Sequence, residues 1–415
     1  LDVQLWSYNF DPEPTGVGIV STVWARELQA LGHRVRVVAA HPHYPEPRWG
    51  HSVRPYREVR SGIEVLRLPL YIGRATTRQR LMQEVSFLAA QSAAAPFLRR
   101  PDVLVSVSPS FPALLPGIGY ARTRRVPWVL WLHDLLPDGA MATGILNDGN
   151  VAIRAARRLE LAAYREADRI VVLSTRFTEN LLAKGVPQGK IELIYDPATR
   201  VPTRLAEPGS GPGLRLLSMG NIGFSQGLAP LVRAFEDPIA GAPPRATLTI
   251  TGTGVAAEDV RVEVRSERVA MPGLVSDERL ERELTGADIG LVTQQYDGGE
   301  FNIPSKLMNF MAYGLPVLAV VNPSGEVARL VREAGGGWVV DSSDPGAFPR
   351  EVARLLEAPD EVRQRARAAR AYAEQHFERP AFARRFERTL QEVVAVGHGG
   401  PAAGHGGAAA GQPRP

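Results

Sequence analysis

Lysine occurs only at Lys184, Lys190 and Lys306 in a chain whose other basic residues are arginines. Lys306 follows Pro304-Ser305, and the run from Ser305 to Ala312, closed by Gly314, reads as a short helix with proline at its start and glycine past its end. The first-turn amides of such a helix, Ser305 among them, point at an anion, and an ammonium beside them adds a full charge. Asn309 lies three residues on, on the same side of the helix. Leu307, Phe310 and Met311 are packing residues whatever the segment does. A phosphate group is the ligand that suits this combination.

Two glycine-rich turns invite the same ligand chemistry. Glu13-Pro14-Thr15-Gly16-Val17-Gly18 joins a first strand to a first helix, and Gly220-Asn-Ile-Gly-Phe-Ser-Gln-Gly227 opens the second half of the chain in the same manner. Gly16, Gly18 and Gly223 let the backbone approach a ligand closely, and Ser225 is placed to cap its turn or meet a phosphate. Neither turn is a dinucleotide fingerprint. Ser21 stands where a third glycine is required, and Ala39-Ala40 offers no acid to an adenosine ribose, which argues against a nicotinamide dehydrogenase. The second turn lacks the lysine of a P-loop, which argues against triphosphate hydrolysis. Taken alone, the first turn serves equally well as a plain tight connection. His133-Asp134 follows an apolar run at Trp128–Leu132, so His133 sits at the carboxyl end of a strand, where open α/β sheets bind ligands.

The elements that must position these residues follow from periodicity. Short β-branched runs (Val3–Tyr8, Val35–Ala39, Glu64–Leu68, Val103–Ser106, Trp128–His133, Arg169–Leu173, Glu192–Ile194) alternate with amphipathic stretches such as Ile19–Leu31 and Arg154–Glu166. After a Pro/Gly-rich break the rhythm restarts with strands at Leu214–Met219, Ala246–Thr251, Val269–Met271, Ile289–Val292, Pro316–Val321 and Gly337–Val340. The expected fold is α/β: two Rossmann-like domains facing across a deep cleft. The expected boundaries are 1–200 for the first domain, 201–213 for a linker and 214–377 for the second. A crossover helix is expected at 378–395, returning to the first domain, and a disordered Gly/Ala/Pro/His tail at 396–415.

A chain of 415 residues exceeds what one core usually supports, in keeping with two domains. Its 44% apolar and 22% charged composition is that of a globular protein, and no apolar run reaches bilayer length. The absence of cysteine rules out disulfides and thiolate metal sites, and no basic-then-apolar leader precedes the first strand, so a cytoplasmic location is expected. Net charge is +4, without the clustered basic and aromatic residues of a nucleic-acid binder. Residues 73–100 combine Arg74, Arg78, Arg80, Arg99 and Arg100 with Leu81, Met82, Val85, Phe87, Leu88 and Phe97. This suits either a helix packed on its own domain with a solvated basic side or peripheral contact with the inner face of a membrane.

Together the segments resemble the family-4 retaining glycosyltransferases of the GT-B fold, within them the bacterial branch of colanic acid and N-acetylfucosamine transferases. The resemblance is carried by Tyr8–Gly18, Pro42-His-Tyr-Pro45, Gly220–Gly227 and Ile303-Pro-Ser-Lys306 with Ala312-Tyr-Gly-Leu-Pro316. It implies transfer of a sugar from a nucleotide-diphosphate sugar to a saccharide, lipid-linked or small-molecule acceptor, with retention, in polysaccharide, glycolipid or glycosylated-metabolite synthesis. It also implies a glycine loop at Thr15, Gly16 and Gly18 near the donor diphosphate, and an active-site histidine at His133. The family's paired glutamates are altered: Asn309 stands at the second, which holds the ribose, and Phe301 at the first, leaving Glu300 or Asp297 to replace it. Asn221 and Gln226 occupy the places of the family's Arg and Lys, so Lys306 becomes the cation expected at the diphosphate. Glu13 is expected to orient the acceptor. No Asp-x-Asp cluster calls for a metal, and no cofactor is expected. Two other readings accommodate these departures: a GT-B nucleotide-sugar 2-epimerase, and a non-catalytic glycosyltransferase-like partner subunit.

Overall fold

The computed structural model describes residues 1–14, 16–44, 49, 52–73, 76–108, 114–134, 151–295, 303–344 and 346–398. Within them, strands β1 (Asp2–Ser7), β2 (Arg34–Ala40), β3 (Tyr56–Arg60), β4 (Ile63–Leu68), β5 (Val103–Val107), β6 (Trp128–Leu132), β7 (Arg169–Val172) and β8 (Ile191–Leu193) form one sheet, ordered β3-β4-β2-β1-β5-β6-β7-β8. Strands β9 (Leu214–Asn221), β10 (Ala246–Thr253), β11 (Val269–Gly273), β12 (Ile289–Thr293), β13 (Val317–Val321) and β14 (Gly337–Asp341) form a second, ordered β11-β10-β9-β12-β13-β14. The helices of the first half are α1 (Val17–Ala30), α2 (Thr77–Ala94), α3 (Leu114–Arg124), α4 (Val151–Glu166) and α5 (Thr175–Ala183). Those of the second are α6 (Leu228–Phe235), α7 (Ala257–Val262), α8 (Asp277–Gly286), α9 (Ser305–Ala312), α10 (Glu326–Ala334), α11 (Ala347–Leu356), α12 (Pro359–His376) and α13 (Arg379–His398).

The β-branched runs become strands because both of their faces are covered. Every residue of β5, β6, β12 and β13 is buried, as parallel strands between two helical layers must be. Strand β3 is the exception and was not anticipated. Its Tyr-Arg-Glu-Val-Arg sequence has no apolar run and is largely exposed, because it is an edge strand pairing antiparallel with β4. The hairpin turns through Ser61 and Gly62, both at positive φ (53° and 80°), the conformation that two-residue hairpins favour. In each sheet the strand order reverses once, between β1 and β5 and between β9 and β12. These are the crevices in which α/β sheets hold ligands.

The chain passes from the first core to the second earlier than the Pro/Gly break at 201–213 suggests. Ile194 packs in the first core, whereas Tyr195 and Ala198 already belong to the second. Residues 203–209 are pinned to the second unit: Thr203 N donates to Glu281 (3.0 Å), Ala206 N to the Tyr313 carbonyl (2.9 Å) and Gly209 N to Asp288 (2.9 Å). Proline and glycine there mark a fitted loop instead of a tether. Helix α12 stays on the second unit, and α13 returns to the first. Phe382, Phe386, Leu390 and Val393 of α13 fill the first core, with Phe386 edge-on to Trp131 at 5.0 Å and to Trp24 at 5.4 Å. Helix α13 runs through His398, three residues into the expected tail; the rest of that tail lies outside the described residues.

Candidate functional site

The carboxyl ends of the two sheets meet around a cavity of about 280 Å³. Gly16, Val17 and Val20 enter it from the start of α1, His133 and Asp134 from the end of β6, and Leu173 and Phe177 from β7 and α5. Tyr195, Asp196 and Thr199 enter from the chain crossing, and Ile303, Ser305 and Met308 come from the second unit at the start of α9. Volume alone does not locate such a site. A groove of about 510 Å³ lined by Arg34, Arg36, Arg57, Glu64 and Phe97 lies at the other side of the first sheet, around the starts of β2 and β4.

Gly16 is the N-cap of α1 at φ 56° and ψ −137°, a backbone conformation that side chains disfavour, and a Cβ there would face open space. Its neighbour Gly18 serves packing: a Cβ would lie 3.2 Å from the Glu13 carbonyl oxygen. Glu13 is itself buried, and its carboxylate is fully engaged. Oε1 accepts from the backbone amides of His43 (2.8 Å) and Tyr44 (2.9 Å), with His43 Nδ1 at 3.3 Å, and Oε2 accepts from Asn9 Nδ2 (2.8 Å). An acid so occupied fastens the loop after β2 to the glycine turn. Glu13, expected to orient the acceptor, is in this structure a positioning residue for that turn.

His133 stands where an apolar strand emits its first polar residue. Its backbone amide donates to Ser108 Oγ (2.9 Å), as does that of Asp134 (3.3 Å), which fixes the turn. The imidazole lies on Trp131, ring centroids 4.7 Å apart, with Nδ1 3.6 Å from Asp196 Oδ2. His133 Nε2 and Asp196 Oδ1 are both buried without a hydrogen-bond partner. Burial pushes the imidazole down to about 3 and the Asp196 carboxyl up to about 7, so the histidine is neutral and the acid readily protonated. Asp134 is also raised by burial. Asp196 was not anticipated from the sequence. The available signal was an acid between Tyr195 and Pro197 just past the carboxyl end of β8.

On the second unit, α9 begins at Ser305 with Pro304 as its N-cap, and Tyr313 and Gly314 (φ 76°) end it. Ser305 is exposed and lines the cavity. Lys306 is buried and lies on the adjoining face of the helix, outside the cavity wall made by Ser305 and Met308. Burial alone lowers its pKa to about 8, with no counter-charge contributing. Asn309 is differently used: Oδ1 accepts from Arg200 N (3.0 Å), and Nδ2 donates to Thr199 Oγ1 (3.1 Å). The amide thus holds the chain crossing against α9. Gly223 and Ser225 sit on the turn after β9 and do not line the cavity. Gly223 N donates to Gln226 Oε1, and the Ser225 carbonyl accepts from Gln295 N (2.8 Å). Glu300, Asp297, Phe301 and Thr15 lie outside the described residues.

Comparison with known proteins agrees with this two-unit arrangement. Residues 15–197 match the model described as a glycosyl transferase 4-like domain, and residues 213–358 match that of glycosyl transferases group 1. The chain is 25% identical over 413 residues to the putative colanic acid biosynthesis glycosyl transferase WcaI of Escherichia coli, covering 93% of this chain and 98% of that one. It is 29% identical over 276 residues to the probable glycosyltransferase WbjE of Pseudomonas aeruginosa, covering 62% and 67% respectively. Among solved structures, Anabaena HepE in complex with UDP and glucose superposes with a TM-score of 0.64 at 16% identity, covering 94% of this chain and 100% of that one.

Proposed function

The chain belongs to the family-4 type of GT-B glycosyltransferases, enzymes of polysaccharide-type biosynthesis. From that premise we propose that it takes its sugar from a nucleotide-diphosphate donor and transfers it to an acceptor hydroxyl with retention. The observation that carries this reading is the buried ammonium of Lys306 at the start of α9, which has no counter-charge contributing to it. A buried cation is costly in an empty protein, and one carried by the first turn of a helix suits a diphosphate. HepE, of the same fold, was solved with UDP and glucose, so UDP sugars are the first donors to test.

In the proposed reaction the bond between the sugar's anomeric carbon and the diphosphate oxygen breaks as the acceptor oxygen bonds to the same face of that carbon. The acceptor's proton passes to the departing phosphate oxygen, so no carboxylate nucleophile is used. Charge growing on the diphosphate is met by Lys306 and by backbone amides, including those of the Gly16 turn and of α9, without a metal or cofactor. His133 contacts the transferred sugar, Glu300 replaces the family's missing first glutamate, and the turn holding Gly223 and Ser225 borders the donor. A thermal-shift screen with UDP, GDP and dTDP sugars tests the donor class, and a chain stabilised by none of them would contradict it. The anomeric configuration of the product, read by NMR, tests retention.

We further propose an acceptor presented at a membrane surface. Leu81, Met82 and Val85 of α2 are 61%, 45% and 48% exposed beside the exposed Arg78 and Arg80, a pattern suited to an anionic bilayer. No helix among the described residues is long and apolar enough to cross one. Co-sedimentation with phosphatidylglycerol vesicles, lost on Leu81→Glu with Met82→Glu, is the expected result.

A further inference from the structure

We infer that Asp196 is a second sugar-contacting residue: its carboxyl and the His133 imidazole form a two-pronged site for neighbouring hydroxyls of the transferred sugar. The inference rests on the nucleotide-sugar reading and adds to it a residue that neither the glycine turns nor α9 would suggest.

Four observations converge. Asp196 and His133 both line the cavity between the two sheets, yet they come from separate segments, the chain crossing after β8 and the end of β6. They approach to 3.6 Å through one atom each, and the other polar atom of each, Asp196 Oδ1 and His133 Nε2, is buried without a partner. A buried polar group left unpaired is destabilising, and two such groups on neighbouring residues that line one cavity point to a ligand that pairs them. Val20, Leu173, Phe177 and Met308 give the cavity apolar faces beside polar Asp134, Thr199 and Ser305, which is the mixture that seats a sugar: carbon–hydrogen faces against apolar walls, hydroxyls against a few fixed polar groups.

The chemistry selects a neutral ligand group. A carboxyl beside a neutral imidazole repels or is indifferent to phosphate, whereas a hydroxyl both donates and accepts. One hydroxyl donates to His133 Nε2, and its neighbour pairs with Asp196 Oδ1. The second unit supplies the cation for the diphosphate, so charge and hydroxyl recognition fall on opposite walls.

The test separates the sugar from the nucleotide. Affinities of the full chain for UDP and UDP-glucose, GDP and GDP-mannose, and dTDP and dTDP-glucose are measured by calorimetry for the wild type, Asp196→Asn and Asp196→Ala. The expected result is a nucleotide-diphosphate affinity changed less than about twofold. The extra affinity conferred by the sugar should fall about tenfold, on the scale of one lost hydrogen bond to a charged or buried group. The double variant Asp196→Asn with His133→Gln should lose little more than the larger single loss, since the two residues act on one ligand. A thermal midpoint near wild type for Asp196→Asn shows that the fold is retained. A wild type that binds none of the three pairs overturns the donor reading, and this inference with it. Binding in which the sugar's contribution is the same in wild type and both variants overturns this inference alone.

Discussion

The two walls of the cleft handle polarity in opposite ways. On the first unit, Glu13 is saturated by the amides of His43 and Tyr44 and by Asn9, and Ser108 is committed to the His133 turn. On the second, α9 buries Lys306 with no compensating charge. The first wall is assembled by its own hydrogen bonds and, among the described residues lining the cavity, leaves His133 Nε2 and Asp196 Oδ1 unpaired. The second buries an ammonium that, among the described residues, no acid is seen to offset. Losses among the saturated groups of the first wall should therefore appear as instability, and losses of Lys306 on the second as inactivity.

Lys306→Ala should show the largest effect: turnover should fall about 10²–10³-fold, in the range for removing one preorganised electrostatic contact, with the thermal midpoint unchanged or raised. A variant that keeps near-normal kinetics would erase the distinction between the walls. Glu13→Ala should do the reverse. Leaving the buried His43 amide and the part-buried Tyr44 amide without an acceptor should cost about 2–3 kcal/mol in a urea titration, while the molecules still folded retain most of their turnover. Gly16→Ala should cost about 2 kcal/mol, because an L-residue is strained at φ 56°, ψ −137°.

The pH dependence should be smaller. Folded Lys306 titrates near 8, below its ordinary 10.5. Between about pH 8 and 10.5 the unfolded chain holds a proton that the folded chain has released, so this group adds stability as pH rises through that window. The same deprotonation removes the cation, so the donor KM should be flat below about pH 8 and rise by up to about tenfold per unit above it. Lys306→Gln should abolish that rise. Gly227→Ala is expected to be mildest, about 1 kcal/mol: the corresponding turn on the second unit is in the ordinary left-handed region (φ 60°, ψ 33°), where the new Cβ would meet Gln295 Cγ at 3.1 Å.

What could be read in advance divides along similar lines. Strands buried on both faces, such as β6 and β13, announce themselves by continuous apolar runs, and α9 by its proline and glycine punctuation. Strand β3 does not, because an edge strand needs no apolar face, and the Ser61-Gly62 turn carries its signal instead. Glu13 looked available because a sequence lists an acid without the amides that enclose it. Asn309 reads as a ribose ligand from its helix position, but its partners in the structure, the Thr199 hydroxyl and the Arg200 amide, are more than a hundred residues away in sequence. Asp196 was missed for the same reason: its significance depends on His133, brought close only by the order of the strands. Long-range pairing is what periodicity cannot supply.

The double crossing has a mechanical corollary. The outgoing strand at Ala198 and the returning one at Phe377 are hydrogen-bonded to each other (Ala198 N to Phe377 O, 2.7 Å), and Arg379 clamps the Thr199 carbonyl from the return side. Nearby, Glu326 of α10 accepts from the Thr175 amide at the start of α5 (2.9 Å). Two bonded crossings should favour rotation about the paired segments over sliding, as a paired pivot does. One interprobe distance spanning the cleft should then follow any opening, and two such distances that change independently would contradict the pivot.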